Sequence, residues 1–328
     1  MCLELVKRLN IYTYDEILEK VRGSYGRARR AEGKLQAVRD VIVSRTDDVE
    51  RLASLLEGLH SFYWRLVEVE FDRGEIEGAV RCVRKARFMV DRLWERYRYI
   101  VLAAGRERGV VREGVGRMLS LVKRCRRGLL VLKNLVVFLQ GLPSINPEDP
   151  IVIVAGPPNA GNSTFVRSVS TAKPEVANYP FTTKQVTVGH RDYGVFKIQV
   201  IDTPGLLDRP VEDMNPIERR AVAALSELRG AVIFMLDPTR DSYMSIERQV
   251  KLAGGVKGLI GGKPLYVVVN KVDVAGSLEV ENALRAASDL VEKGLASGIY
   301  TVKAIDRDSS SKILDEIVAK EFTGYFKV

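Results

Sequence analysis

Between residues 13 and 141 the chain contains no proline, and its apolar residues recur at intervals of three and four. Because this spacing collects apolar side chains on one side of a helix, it predicts amphipathic helices. Three such stripes run through residues 35–56, 76–101 and 115–139. The stripes can be buried against one another, so we predict an antiparallel bundle of three or four long helices.

A different pattern begins after residues 141–150, which contain three prolines. Proline ends helices and keeps the chain extended, so this segment is predicted to link two domains. Beyond it, helical stretches alternate with short β-branched runs, at 151–155, 196–201, 231–236, 265–269 and 299–302. This alternation predicts a mostly parallel sheet in a three-layer α/β/α arrangement. We therefore predict a helical bundle over residues 1–145 and an α/β domain over residues 146–328.

The segment after the first predicted strand carries most of a phosphate-binding motif. It reads Gly156-Pro-Pro-Asn-Ala-Gly161-Asn162-Ser163-Thr164 and matches the P-loop pattern G-x-x-x-x-G-K-[ST], except that Asn162 replaces the lysine. Glycines let the backbone wrap around phosphates, and the positive end of the following helix attracts them. We predict that this loop binds phosphates through Asn159, Ala160, Gly161, Asn162, Ser163 and Thr164, with the Ser163 hydroxyl also binding magnesium.

Asn162 is expected to weaken this phosphate site. The usual lysine places a positive charge between the outer phosphates, both in binding and during phosphoryl transfer. A hydrogen bond to a charged group contributes roughly 1.5–3 kcal/mol, so its loss predicts binding or chemistry that is weaker by about 10- to 100-fold. Asparagine still donates a hydrogen bond but carries no charge.

Two further segments supply oxygen atoms and amides to the predicted site. Asp202-Thr-Pro-Gly205 follows a predicted strand, where a carboxylate can hold magnesium through water and the Gly205 N–H can contact a γ-phosphate. Between the P-loop and this segment lie Phe181, Thr182 and Thr183, and a threonine hydroxyl can complete the magnesium shell. A D-x-x-G sequence alone is also typical of an ordinary turn.

The segment Asn270-Lys271-Val-Asp273 directly follows the predicted strand 265–269. Asp273 can accept hydrogen bonds from the ring N–H and the exocyclic amine of guanine, whereas adenine presents the opposite donor pattern there. Asn270 can reach N7 of the base and hold the loop, and the Lys271 stem can cover the ring. Four motifs in this order, each at a strand end, predict a guanine-nucleotide site.

A last segment, Lys303-Ala304-Ile305, stands after the final predicted strand. A Ser-Ala-x loop that contacts the guanine oxygen is expected at this place, and the serine is missing. We predict that the Ala304 N–H makes the contact and that Ile305 adjoins the base.

Charge and cysteine content bear on partners and location. Residues 1–150 hold 29 basic and 21 acidic residues, compared with 22 and 21 in the remainder. This excess indicates contact with a polyanion, most often nucleic acid, although many proteins carry a basic surface without one.

Cys2, Cys82 and Cys125 are odd in number and share no short spacing, so we expect no zinc site or disulfide framework and a cytoplasmic location. Apolar stretches are too short for a membrane span, so no membrane partner is expected.

The nucleotide motifs resemble those of Obg-like P-loop GTPases, and the chain is similar to the nucleolar GTP-binding (Nog) family in its short archaeal form. The resemblance also rests on residues 142–147, 179–184, 188–193 and 202–213, the last of which is much more specific than a generic GTPase motif. It covers nearly the whole chain but not the long C-terminal extension of the nucleolar members. The resemblance implies a Ras-like domain and a large-ribosomal-subunit assembly factor whose bundle docks on ribosomal RNA or a pre-ribosomal particle.

The resemblance further implies GTP or GDP as ligand and a monomer away from the ribosome. Ser163 and Thr183 would ligate magnesium, with Asp202 in its outer shell. Asn159 matches the asparagine that helps hold potassium beside the phosphates in potassium-dependent relatives. Leu206 stands where Ras-like enzymes carry a water-orienting glutamine, so hydrolysis is expected to be slow, and no catalytic residue is assigned.

Two functions are compatible with these residues. In the first, GTP orders residues 179–184 and 202–213 of a slow GTPase switch that binds a pre-ribosomal particle until hydrolysis releases it. In the second, the chain is a nucleotide-binding but hydrolysis-deficient RNA-binding assembly scaffold. Asn162 is the residue that separates the two hypotheses.

Overall fold

The computed structural model describes residues 2–104, 108–180, 185–194, 196–203 and 207–326. The chain divides into two compact units, of which one comprises Met1–Leu59 with Glu70–Gln140 and the other comprises His60–Val69 with Gly141–Val328. Among the described residues, no helix combines the length and the apolar composition that crossing a membrane requires.

The residues before position 141 form helices α1 (Cys2–Val6), α2 (Tyr14–Arg27), α3 (Ala31–Glu57), α4 (Ser61–Glu70), α5 (Arg73–Ala104), α6 (Arg108–Arg124) and α7 (Arg126–Gln140). Helix α2 begins with a capping box, in which the Thr13 hydroxyl accepts from the Glu16 N–H and the Glu16 carboxylate accepts from the Thr13 N–H. The apolar stripes of α3 and α5 are buried as predicted, for example at Leu35, Leu52 and Val90. All of these helices except α4 belong to the first unit.

The uniform spacing of the apolar stripe through residues 115–139 suggested one helix. The structure instead forms two helices, because the helical hydrogen bonding is interrupted between α6 and α7. At the break, the Cys125 N–H donates to the carbonyl of Val122, three residues back instead of four. Three residues later, a Cβ on Gly128 would lie 2.8 Å from the Cβ of Ala79, so only glycine allows α7 to approach α5 this closely. The stripe continues across the break because both helices pack on the same core.

The structure joins the sulfur atoms of Cys82 and Cys125 in a disulfide, so the expectation that the cysteines form no disulfide is wrong. Cys82 lies on α5 and Cys125 lies at the junction of α6 and α7, with their Cα atoms 5.7 Å apart. Because α6 runs back along α5, residues separated by 43 positions in the sequence meet in space. Local cysteine spacing could not indicate this pairing.

The second unit contains strands β1 (Ile151–Ala155), β2 (Glu175–Asn178), β3 (Gln185–Asp192), β4 (Lys197–Asp202), β5 (Gly230–Leu236), β6 (Leu265–Val269) and β7 (Gly298–Thr301). Its helices after α4 are α8 (Asn162–Val169), α9 (Pro216–Ala224), α10 (Ile246–Leu259), α11 (Ser277–Glu292) and α12 (Arg307–Glu321). The sheet order is β2-β3-β4-β1-β5-β6-β7, with β3 antiparallel to both neighbours and the remaining pairs parallel. The predicted fold class, a helical bundle followed by a mostly parallel α/β domain, is confirmed.

The central strand β1 explains why the sheet needs helices on both faces. All five of its residues are buried, as is typical of parallel strands inside an α/β domain. One face packs its Val152 and Val154 against Phe165 of α8 and Leu314 of α12. Because parallel strands share one direction, the carboxyl ends of β1, β4, β5, β6 and β7 lie along one edge of the sheet. The loops that follow these strands therefore meet at this edge.

The predicted division at residue 145 differs from the observed units in two places. Residues 60–69, which include most of α4, belong to the second unit, as do residues 141–145. The Tyr63 hydroxyl lies 2.5 Å from the Ile145 carbonyl oxygen and donates to it. Gln199 on β4 then holds the segment through both groups of its amide, donating to the Asn146 carbonyl at 2.6 Å and accepting from the Asn146 N–H at 2.9 Å. The proline-rich segment is therefore anchored on the α/β unit.

Candidate functional site

The loop between β1 and α8 has the backbone shape that its glycines were predicted to allow. Gly161 immediately precedes α8 with φ +104°, and a Cβ there would lie 2.1 Å from the Asn270 side-chain nitrogen. Gly156 has φ +153°, and its Cβ would lie 2.7 Å from the Met235 carbonyl oxygen. Asn159 also has a positive φ, of 64°. The first N–H groups of α8 have no partner within the helix, so this end of α8 can bind an anion.

Asn162 is the first residue of α8, and its amide closes the loop. The Nδ2 atom donates to the Gly156 carbonyl at 3.3 Å, whereas the buried Oδ1 atom has no hydrogen-bond partner among the described residues. An unpaired buried acceptor is unfavourable, and the amide carries no charge. Asn162 therefore holds the two ends of the loop together without adding a positive charge to the site.

Asp202 and Ser163 meet beside this loop. Asp202 ends β4, is fully buried, and accepts a hydrogen bond from the Ser163 hydroxyl. Burial raises the pKa of the Asp202 carboxyl to about 6, although the hydrogen bond from Ser163 and the positive charge of Arg167 act in the opposite direction. The Asp202 Oδ1 atom is buried without a partner among the residues that the structure describes.

This pair of residues suits a divalent cation. A hydroxyl and a carboxylate lie together, and one buried carboxylate oxygen has no donor among the residues whose structure is described, although burial normally demands one. Hard cations such as Mg²⁺ prefer oxygen ligands and often keep bound water between themselves and a carboxylate. Ser163 and Asp202 therefore fit the predicted magnesium site, whereas the third expected ligand, Thr183, lies outside the described residues.

The raised pKa of Asp202 predicts a pH-dependent stability for the protein in the presence of EDTA and without nucleotide. The folded state binds a proton between the ordinary pKa of 3.8 and about 6, whereas the unfolded state has lost it. The free energy of unfolding should therefore fall by about 2–3 kcal/mol as the pH rises through this window. Denaturant titrations of the wild type and of Asp202→Asn test this, because the variant should lack the decrease. Parallel profiles for the two proteins would contradict it.

Asn270 connects two loops at the far side of the site. Its Nδ2 donates to the Ala160 carbonyl at 2.8 Å, and its Oδ1 accepts from the Ala304 N–H at 2.8 Å. Asn270 thus holds the P-loop and the 303–305 loop together, as its predicted loop-holding role requires. The Ala304 N–H, which was expected to contact the guanine oxygen, donates to Asn270 in this structure, and the neighbouring Ile305 is exposed.

Lys271 and Asp273 complete this side. Lys271 has φ +58°, and its Nζ lies 2.6 Å from the buried carboxylate of Asp237. Asp273 is exposed in the loop between β6 and α11, where its carboxylate is accessible to a ligand. The Lys271 carbonyl accepts from the N–H groups of Val274 and Ala275 and closes this loop into a turn.

Asp237 is a residue of this site that the sequence analysis missed. It follows β5 and accepts from both the N–H and the hydroxyl of Thr239, at 3.0 and 2.7 Å, and the Gln249 amide bonds to its backbone. Through Lys271 it fixes the stem that was predicted to cover a purine ring. Its position directly after a predicted strand was the available signal.

The structure brings most of the predicted residues to one edge of the sheet. The described site residues lie in the loops after β1, β6 and β7, in the first turn of α8 or at the end of β4, and they are Asn159, Ala160, Gly161, Asn162, Ser163, Thr164, Asp202, Asn270, Lys271, Asp273, Ala304 and Ile305. The other predicted residues, Phe181, Thr182, Thr183, Gly205 and Leu206, lie outside the described residues. The edge therefore combines an anion-binding helix end, oxygen ligands for a cation and an exposed carboxylate.

Comparison with known proteins identifies both units. Residues 15–146 match the family model of the NOG1 N-terminal helical domain, and residues 216–273 match that of nucleolar GTP-binding protein 1. The chain is 37% identical over 241 residues to nucleolar GTP-binding protein 1 of Caenorhabditis elegans, an alignment that covers 73% of this chain and 35% of the relative. It is 36% identical over 234 residues to the protein of the same name from Drosophila melanogaster, covering 70% and 36%. The chain thus spans about a third of the length of these relatives.

A crystal structure of nucleolar GTP-binding protein 1 from Plasmodium falciparum is 28% identical to this chain, with a TM-score of 0.48, and the match covers 56% of this chain and 94% of that one. The cytoplasmic location that the cysteines suggested is contradicted by the relatives, which are named as nucleolar proteins. The disulfide between Cys82 and Cys125 also removes the cysteine argument on which that expectation rested.

Proposed function

This chain belongs to the nucleolar GTP-binding (Nog) family of Obg-like GTPases, and we propose that it is a guanine-nucleotide-binding switch that acts in assembly of the large ribosomal subunit. The observation that carries the proposal is the bridge through Asn270, which fixes the phosphate loop and the base loop in one frame. A nucleotide needs both loops at a set distance, because its phosphates and its base are covalently linked.

Each residue of the proposed site has one task. The N–H groups at the start of α8 bind the phosphates, and the Asp273 carboxylate accepts hydrogen bonds from guanine N1 and N2. Ser163, with Asp202 through water and Thr183 by family resemblance, would hold Mg²⁺, which neutralises negative charge on the phosphates. Asn159, at the exposed turn of the P-loop, is the proposed ligand for potassium beside the phosphates.

GTP hydrolysis by this chain is proposed to be slow. Asn162 supplies no charge to stabilise phosphoryl transfer, and Leu206 cannot orient a water molecule as glutamine does. The second candidate function, a scaffold that binds nucleotide without hydrolysing it, is favoured by the same Asn162. In either case the basic helical unit is the proposed contact with ribosomal RNA, and the chain is proposed to be a monomer away from the ribosome.

A calorimetric titration with GDP and ADP in the presence of Mg²⁺ tests the nucleotide assignment. GDP should bind more than about 1,000-fold more tightly than ADP, because adenine leaves the carboxylate of Asp273 without donors and places its own acceptor N1 against it. Repeating the GDP titration in potassium and in sodium tests the proposed role of Asn159. Equal affinity for the two nucleotides would remove the guanine assignment.

A further inference from the structure

Helix α5 carries two groups of basic residues that differ in their ion pairing. On the side facing α3, Arg84 lies 2.7 Å from Glu50 and Arg98 lies 2.6 Å from Glu32. On the same side, Asp91 of α5 pairs with Arg39 of α3 at 2.7 Å. Positive charge along this side of α5 is therefore neutralised by acidic residues.

On the solvent-facing side of α5, Arg81 pairs with Glu77 at 3.5 Å, but three other cations have no such partner in the described part of the chain. Lys85, Arg92 and Arg96 are exposed and form no ion pair among the described residues. At 100° per residue these three positions fall within about 40° of one another around the helix axis. They form one line of positive charge, and the acidic side chain of Glu95 lies beside this line.

Two aromatic rings lie along the same line. Phe88 is 58% exposed and Tyr99 is 75% exposed, at helical angles adjacent to those of the three cations. The Arg92 guanidinium lies 4.9 Å from the centroid of the Phe88 ring. Large rings exposed beside cations on a regular helix are typical of a binding surface. We call Lys85, Phe88, Arg92, Arg96 and Tyr99 the outer stripe.

The junction of α6 and α7 adds further charge next to the start of the outer stripe. Lys123, Arg124 and Arg127 flank Cys125 in the chain, and all three are exposed without an ion pair among the described residues. The Cα of Cys125 lies 5.7 Å from that of Cys82, which is three residues before Lys85. The unpaired cations of both segments thus lie on neighbouring parts of one unit.

We propose that the outer stripe, extended by the junction cations, is the surface through which this chain binds RNA. The cations contact phosphates, and the rings of Phe88 and Tyr99 stack on unpaired bases, a combination that suits looped RNA more than a uniform duplex. Residues 85 to 99 span about 21 Å along the helix, enough for several nucleotides. This inference rests on the proposed function and gives its RNA partner a surface and a structural class.

The test uses the full chain and a fluorescently labelled RNA hairpin with an unpaired loop. Anisotropy titrations at several salt concentrations compare the wild type with the triple variant Lys85→Ala, Arg92→Ala and Arg96→Ala. The variant should bind about 10- to 100-fold more weakly, and its salt slope should fall by about 2, because each phosphate contact with single-stranded RNA contributes roughly 0.7. The matched control replaces three exposed but ion-paired residues, Arg51, Arg84 and Arg98, by alanine and should change affinity by less than about threefold.

A second variant separates stacking from charge. Phe88→Ala with Tyr99→Ala should weaken binding of the hairpin by about 10-fold or more while leaving the salt slope and the affinity for a fully paired RNA duplex unchanged. If wild type binds the hairpin and the triple variant matches it in affinity and slope, the outer stripe is not the site, although the proposed function stands. If wild type binds GDP but no RNA, or prefers vesicles of anionic phospholipid, the RNA assignment fails together with this inference.

Discussion

Asn162→Lys should tighten GTP binding by at least tenfold. Lysine places a full positive charge where the outer phosphates lie, and a charged hydrogen bond contributes roughly 1.5–3 kcal/mol, or about 10- to 100-fold in affinity. The local structure can accept the change, because residue 162 is only half-buried at the start of α8 and its amide already reaches the Gly156 carbonyl. A lysine ammonium can donate to the same carbonyl and to phosphate together.

The substitution has a second favourable effect. It removes the Asn162 Oδ1 atom, a buried acceptor without a hydrogen-bond partner among the described residues. The control that separates this effect from that of charge is Asn162→Met. Methionine is similar in length to lysine, but it has neither the charge of lysine nor the amide of asparagine. Isothermal titration calorimetry in the presence of Mg²⁺ measures the affinity for GTP of the wild type, Asn162→Lys and Asn162→Met. An unchanged affinity for the lysine variant would show that residue 162 does not contact the phosphates.

Single-turnover hydrolysis of GTP by the same variants distinguishes the two proposed functions. If lysine raises the rate together with the affinity, the chain retains a working GTPase site that Asn162 attenuates. If the affinity rises and hydrolysis stays at the background rate, the scaffold function is supported. The lysine variant would then still lack a group that orients the attacking water, because Leu206 stands where Ras-like enzymes carry a glutamine.

The sheet shows which parts of the fold local sequence can predict. Strands β1 and β6 have the predicted bounds, β5 begins one residue earlier than predicted, and β4 and β7 are each displaced by one residue. Strands β1, β5 and β6 are buried parallel strands, which are continuous apolar runs and are therefore easy to recognise in the sequence. Strands β2 and β3 were not predicted. The first is a four-residue edge strand that is mostly exposed, and the second pairs antiparallel with both neighbours and alternates polar with apolar residues. Neither presents the apolar run on which the prediction depended.

Long-range contacts account for the other differences. The disulfide between Cys82 and Cys125 depends on how α5 packs against α6, and the place of α4 depends on the contact between Tyr63 and Ile145. Each joins residues that lie far apart in the sequence. The positions of the described candidate site residues follow more directly from the sequence, because their motifs stand at strand ends and parallel strands bring those ends to one edge.

Asp273→Asn should change the base preference of the site from guanine to xanthine. Guanine presents two donors, at N1 and N2, that match the two acceptor oxygens of a carboxylate. Xanthine presents a donor at N1 and an acceptor oxygen at position 2, which match the oxygen and the amino group of an asparagine side chain. Each mismatch leaves a hydrogen bond to a charged or buried group unmade, so GDP affinity should fall by at least about 100-fold.

The geometry allows this test to isolate the base contact. Asp273 is exposed in its loop, whereas the loop is held by Asn270 and by the Lys271–Asp237 ion pair, which the substitution leaves in place. Calorimetric titrations compare the affinities of the wild type and Asp273→Asn for GDP and for xanthosine diphosphate (XDP). Asp289→Asn, which removes an exposed carboxylate on α11, serves as the control. The Asp273 variant should prefer XDP and the control should still prefer GDP. If Asp273→Asn binds GDP as tightly as the wild type, the carboxylate does not read the base, and the selectivity of the site must come from the 303–305 loop.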